Sequence, residues 1–240
     1  TVDGDGAVRV VGRSGGALGT VVVDPTTGER RDTDLVPEPG RRPPEAVAEL
    51  DGSLFVDAGD RVWSRPAPGE PWNVHELVSA VAVTGDGVFG FAPSYERVLV
   101  YRWDGSGSFE PVGTIEMEDE HPATVITTWG PGWAFVEACR GSDCRRFARP
   151  DGGGWGTAPD LPALPRWNGE RWWSASVFAL RSRPPILVSD DGSTWEELPM
   201  PPFWLGADEQ ARAVVLPDDR LLIALLRPNG SSTVLVGERG

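Results

Sequence analysis

Lysine is absent, and all 22 basic residues are arginines. Without lysine the chain cannot build a Walker A loop, whose lysine reaches the nucleotide phosphates, nor form a Schiff base with a carbonyl substrate. Positive charge is scarce as well: Asp and Glu number 36, and the formal net charge is -14. Nucleic-acid binding draws on clustered cations, so this balance argues against a nucleic-acid partner. Long apolar runs are also missing. The longest clean one, Leu221 to Leu226, falls far short of the ~20 residues of a membrane-spanning helix, so the chain is not expected to span a membrane. There is no charged start followed by an apolar segment, and any secretion signal is expected to have been removed before residue 1.

Soft metal ligands are few: two cysteines, plus His75 and His121. A structural soft-metal site takes four such ligands, which makes metal the weaker reading. Cys139 and Cys144 enclose a turn-like insert between two strand-like runs, a spacing that suits a disulfide across a hairpin. Two free thiols or half a metal site are the alternatives. Structural disulfides belong to oxidising compartments, so a secreted or cell-surface location is expected. No motif calls for a cofactor, and none is expected.

What the chain has in quantity is turn chemistry and large aromatics: Gly 30, Pro 23 and Trp 11 in 240 residues, with 40% hydrophobic residues. That length and apolar content can bury a core. The turns recur. Ser189 to Pro199 reads SDDGSTWEELP, Arg149 to Pro162 reads RPDGGGWGTAPDLP, and Arg102 to Val112 reads RWDGSGSFEPV. Each has Asp-Gly, small residues, then an aromatic. Arg65 to Val78 keeps the turn and the Trp without the Asp, and Val23 to Pro37 keeps the turn alone. The aromatics Trp72, Phe109, Trp155 and Trp195 stand 37, 46 and 40 positions apart, the interval of one propeller blade.

Between the turns run short β-rich segments, about four per unit, and no segment competes as a helix. Units ending near Pro37, Val78, Ile115, Asp160 and Pro199, with a last one from Ala211 to Gly240, predict an all-β fold. The expected architecture is a six-bladed β-propeller of four-stranded antiparallel blades, with five or seven blades as the alternative, in a single domain over 1–240. The first and last units show about three clear strands each.

The string SDDGSTW at Ser189 to Trp195 resembles the Asp-box, or BNR repeat, of sialidases and other secreted propellers, and the Asp151 and Asp104 turns resemble it less completely. In the families it resembles, the box joins the third and fourth strands of a blade, away from the ligand face. The resemblance therefore implies structural roles for Ser189, Asp191, Gly192, Thr194 and Trp195: Gly supplies positive φ, Asp accepts from turn amides, and the Trp packs beneath. Sialidase chemistry itself requires an arginine cluster and a Tyr nucleophile with a Glu partner. Only Tyr95 and Tyr101 are present, and the Arg-Ile-Pro or Arg-Leu-Pro motif that usually opens such domains is absent. Tyr95-Glu96-Arg97 reads first as a solvated turn between two strands, because adjacent side chains on extended backbone point to opposite faces.

The opposite face should collect the loops between blades and between second and third strands. They carry Tyr95, Trp167, Phe203 and Trp204 as flat apolar contacts, and Arg97, Arg181 and Arg183 as forked donors, with Arg41, Arg42 and Arg140 nearby in kind. These are the candidate ligand-binding residues; the competing reading is that the tryptophans plug the ring and the arginines are solvated. The charged run Glu116 to His121 and the DGDG at Asp3 to Gly6 are weak calcium candidates, better read as a solvated loop and a mobile chain end. No catalytic residue is singled out. The expectation is a non-catalytic extracellular module that binds a protein or a surface glycan. A sialidase-like glycoside hydrolase and a structural module of a larger secreted assembly are the alternatives.

Overall fold

Alternation of β-rich runs with Gly, Asp and Pro turns yields 22 strands and no helix among the described residues. The computed structural model describes residues 8–14, 17–24, 27–36, 46–67, 69–117, 122–175, 185–198, 210–215, 221–226 and 232–237. The strands form six sheets, each an antiparallel meander of sequence neighbours. The first has β1 (Val8–Ser14), β2 (Ala17–Val23) and β3 (Arg30–Val36). The second has β4 (Ala46–Leu50), β5 (Ser53–Asp57), β6 (Val62–Arg65) and β7 (Asn73–His75). The third has β8 (Ala80–Thr84), β9 (Gly87–Ser94), β10 (Arg97–Trp103) and β11 (Phe109–Glu116). The fourth has β12 (Thr124–Gly130), β13 (Trp133–Arg140), β14 (Asp143–Pro150) and β15 (Gly156–Thr157). The fifth has β16 (Arg166–Trp167), β17 (Trp172–Ser174), β18 (Ile186–Ser189) and β19 (Glu196–Leu198). The sixth has β20 (Gln210–Val215), β21 (Leu221–Leu226) and β22 (Ser232–Gly237).

These sheets are the blades of a β-propeller. The first strands of successive sheets lie side by side, β1 against β4, β4 against β8, β8 against β12 and β12 against β16. In sheets two to five the fourth strand is the exposed one: β6 is buried along its whole length and β9 at five consecutive positions, whereas β11, β15 and β19 are mostly exposed. Inner strands covered on both faces need apolar residues at successive positions, which is why they read as continuous runs rather than as alternation. No helix of the described residues is long and apolar enough to cross a membrane.

The core is a series of layers, each pressed between two sheets. Phe55, Phe91, Phe135 and Trp172 occupy the second strand of sheets two to five, and all are fully buried. Onto these fit the recurring aromatics of the next sheet. Phe109 sits 6.1 Å from Phe55 and Trp155 sits 5.2 Å from Phe91, both edge-on, and Trp195 joins the cluster of Phe135 and Trp172. Trp72 completes the pattern against a cluster containing Val36 and Val56. The aromatic after each of these turns thus reaches across to the preceding blade. Face-to-face sheets diverge away from the propeller axis, and a bulky, half-buried ring fills the widening gap; each contributes part of the about 1.5–3 kcal/mol of a fully buried side chain. That requirement accounts for the blade-length spacing of these four residues.

Candidate functional site

Antiparallel meanders put alternate connections at opposite ends of each sheet, so the propeller has two rims. In sheets two to five, the first-to-second and third-to-fourth strand turns share one rim. The second-to-third strand turns and the connections between sheets share the other.

The first rim is built from aspartates. Asp191 Oδ1 accepts from the backbone amides of Ser193 and Thr194, both at 2.8 Å, and its carboxylate also accepts from the hydroxyls of Ser193 and Ser189. Gly192, at φ 75°, supplies the left-handed step and donates its amide to Ser189 Oγ. Asp104 repeats the device: its Oδ1 accepts from the amides of Ser106, Gly107 and Ser108 at 2.7, 3.0 and 3.0 Å. The amides of Ser106 and Ser108, then the Ser106 hydroxyl, pull the Asp104 carboxyl down to about 2. Those of Thr194 and Ser193 hold Asp191 well below the carboxylate range.

Asp151 instead reaches out of its own turn. Its Oδ1 accepts from the Gly85 amide of the preceding sheet at 3.0 Å, while its amide donates to Gly132. Beside it, Arg149 forks onto both carboxylate oxygens of Asp86 at 2.8 and 2.5 Å and lies 4.4 Å over the Phe89 ring. At the next boundary, Trp133 Nε1 of this fourth sheet donates to the Asp191 carbonyl of the fifth at 2.7 Å. Third-to-fourth turns therefore latch onto the first-to-second turn of the blade before. A shallow cavity of about 210 Å³ on this rim is lined by Arg171, Asp190, Asp191 and Glu196 among others. Arg171 already bridges Asp190 and Glu196 at 2.5 and 2.7 Å. The chemistry of this rim is that of turn construction and blade latching.

The second rim carries Tyr95, Arg97 and the disulfide. Tyr95 and Glu96 form the two-residue turn between β9 and β10, with Glu96 at φ 55°. Tyr95 is 68% exposed, and Leu77, in the connection from β7 to β8, is 75% exposed; no other large hydrophobic among the described residues is as exposed. Arg97 is exposed at the start of β10, opposite Ser94 and Glu116. Arg61, in the β5–β6 turn, lies between Asp60 and Glu76 at 3.6 and 3.8 Å.

Cys139 and Cys144 are bonded, with Cα atoms 4.1 Å apart, as cross-strand partners in the β13–β14 hairpin. Glu137 lies with them, all three donor atoms within 4.8 Å of one another. Both sulfurs are spent in the disulfide, and Glu137 is held by Arg146 Nε at 2.5 Å.

Three of the candidate ligand-binding residues can be located, and they are not brought together. Tyr95 and Arg97 share the second rim. Trp167 ends β16, immediately before the turn to β17 on the first rim, and packs 5.6 Å from Trp172 and against Gly130. Its place at a strand end between two sheets makes it part of a wedge rather than of the long connection that precedes it. Arg181, Arg183, Phe203 and Trp204 lie outside the described residues, as do Arg41, Arg42, His121 and the DGDG segment. The structural candidates Ser189, Asp191, Gly192 and Trp195 sit together in the β18–β19 turn. The latch of Asp86 with Arg149, 63 positions apart, was not read from the sequence. The only local signal is that Thr84-Gly85-Asp86-Gly87 is itself a hairpin turn.

No protein-family model matches the chain, and a search of the curated proteins finds none similar to it. Solved structures do match in shape. A putative 6-phosphogluconolactonase from Bacteroides uniformis aligns over 100% of this chain and 80% of its own, at 14% identity and a TM-score of 0.56. A quinonprotein alcohol dehydrogenase-like protein from Bacteroides thetaiotaomicron aligns over 98% of this chain at 10% identity and a TM-score of 0.55; the match spans 64% of that protein. The extracellular domain of a putative one component system from the same species aligns over 91% of this chain and 30% of its own, at 8% identity and a TM-score of 0.50. At these identities the likeness is one of fold.

Proposed function

We propose that residues 1–240 act as one non-catalytic binding module outside the cytoplasm, recognising a protein partner or a surface glycan through the rim of the inter-blade connections. The observation that carries this reading is exposure on that rim: the Tyr95 ring is 68% exposed at the tip of a tight, register-locked hairpin, with Arg97 exposed beside it. A rigid amphipathic ring beside a forked donor binds at low entropic cost. The disulfide supports a secreted or surface location, since such bonds persist in oxidising compartments. The extracellular domain of the putative one component system has a similar fold, which supports a place outside the cytoplasm.

The test is a glycan array together with crosslinking of purified protein to surface fractions, comparing the native chain with Tyr95→Ala/Arg97→Ala. The double variant should lose at least about tenfold in affinity, the cost of one hot-spot contact, with an unchanged melting temperature. Full binding by the variant would move the site elsewhere. Turnover of a fluorogenic sialoside would overturn the non-catalytic reading in favour of the hydrolase.

A further inference from the structure

The Cys139–Cys144 bond adds little to the hairpin that carries it. β13 and β14 are registered over eight residue pairs from Trp133↔Pro150 to Arg140↔Asp143, and the turn itself is only Gly141 and Ser142. Cys139 is further tied by its carbonyl, which accepts from the Ala123 amide at 2.8 Å. Closing a loop with a sequence separation of only 5 removes little chain entropy, and the ladder already holds these ends together. The two sulfurs also differ in access. Cys139 is 7% exposed and packed inward, whereas Cys144 is exposed on the rim that carries Tyr95. The nearby Glu137 carboxylate would repel an incoming anion, but the Arg146 guanidinium bound to it offsets that charge.

We propose that Cys139–Cys144 is a thiol–disulfide exchange site, opened by a low-molecular-weight thiol of the glutathione type that attacks Cys144. The incoming thiolate forms a new bond to Cys144 Sγ; the bond between the two protein sulfurs breaks, and its electron pair leaves on Cys139 Sγ, which takes a proton from water. One disulfide is lost and one gained, so nothing is oxidised or reduced overall. Cys139, held opposite, is the resolving thiol and expels the adduct by the reverse step. A second thiol attacking the mixed disulfide at its own sulfur completes reduction to the dithiol and releases the small-molecule disulfide.

The test incubates the oxidised full chain with glutathione, quenches with acid and maps adducts by peptide mass spectrometry. The expected result is a transient adduct on Cys144 in the native chain; Cys139→Ser, which has no disulfide to attack, is given oxidised glutathione instead and should keep a persistent adduct on Cys144. With an alkylating reagent, Cys144 in Cys139→Ser should react at least about tenfold faster than Cys139 in Cys144→Ser, because access and thiolate character govern the rate. Far-ultraviolet circular dichroism should be unchanged on reduction. Adducts mainly on Cys139, equal alkylation rates, or no exchange in the folded chain under conditions where the denatured chain exchanges would each overturn the proposal. So would loss of β-structure on reduction, which would make the bond a structural staple.

Discussion

Replacing Asp86 by Asn should expose how much of the molecule's stability lies in the latches between blades. The carboxylate takes both guanidinium arms of Arg149, whose side chain is 8% exposed, while its own is 32% exposed. Breaking a fully buried pair from one side costs about 3–5 kcal/mol, because the remaining charge is stranded. Partial exposure of Asp86 lets water reach Arg149, and contact with the Phe89 face keeps part of its surroundings favourable, so about 2–3 kcal/mol is the figure to expect. At roughly 2–4 °C per kcal/mol for a chain of this size, the melting temperature should fall by about 4–12 °C.

The loss has a predictable pH window. Arg149, with the Thr84 hydroxyl, holds the Asp86 carboxyl well below its ordinary value of 3.8. A depressed carboxyl contributes stability that is fully present above the unfolded value and is lost as pH falls through the folded one. The gap between native and Asp86→Asn melting curves should therefore be constant from neutral pH to about 5 and shrink below about 4. Differential scanning calorimetry of native, Asp86→Asn, Arg149→Met and the double variant would give the coupling energy directly. A coupling below about 0.5 kcal/mol, the limit for independent sites, or a gap that does not close in acid, would refute the reasoning.

Packing and acid response offer two further checks. An ideal Cβ on Gly90 would lie 2.7 Å from Val78 Cγ1 and 3.0 Å from the Phe109 ring, so Gly90→Ala should cost about 1–3 kcal/mol by overpacking. Gly113→Ala, which meets open space, should leave the melting temperature nearly unchanged, and equal effects in the two would dismiss the wedge. His75 accepts or donates through Nε2 at 2.8 Å to Ser64 Oγ and lies edge-on to Trp103 and Phe109 at 5.7 and 5.0 Å. Burial lowers its pKa from 6.5 against the opposing pull of Asp104. The unfolded chain then takes up the proton first, and stability should decline as pH falls below 6.5. In Ser64→Ala/His75→Phe the decline between pH 7 and 5 should flatten; an unaltered slope would assign it to other groups.

Local sequence carried the repeat, because each blade must make the same turns and supply the same wedge. The Asp-Gly turns around Asp104, Asp151 and Asp191 and the aromatics Trp72, Phe109, Trp155 and Trp195 solve a problem that recurs from the first sheet to the fifth, and a recurring problem leaves a periodic trace. The hairpin cysteines were legible for the same reason, since a two-residue turn brings residues 139 and 144 opposite each other whatever the rest of the chain does. Partners across blades left no such trace. The pairing of Asp86 with Arg149, the reach of Asp151 to Gly85 and the docking of Trp133 beneath Asp191 join stretches dozens of residues apart, and only the stacking of sheets brings them within hydrogen-bond distance. Which rim a side chain occupies is likewise a property of strand direction. Tyr95 and Trp167 have similar local contexts, both beside a turn between β-rich runs, yet one projects into solvent and the other is wedged between sheets. Backbone geometry at a turn is set by the few residues within it, whereas the burial of a ring is set by whatever the fold places against it.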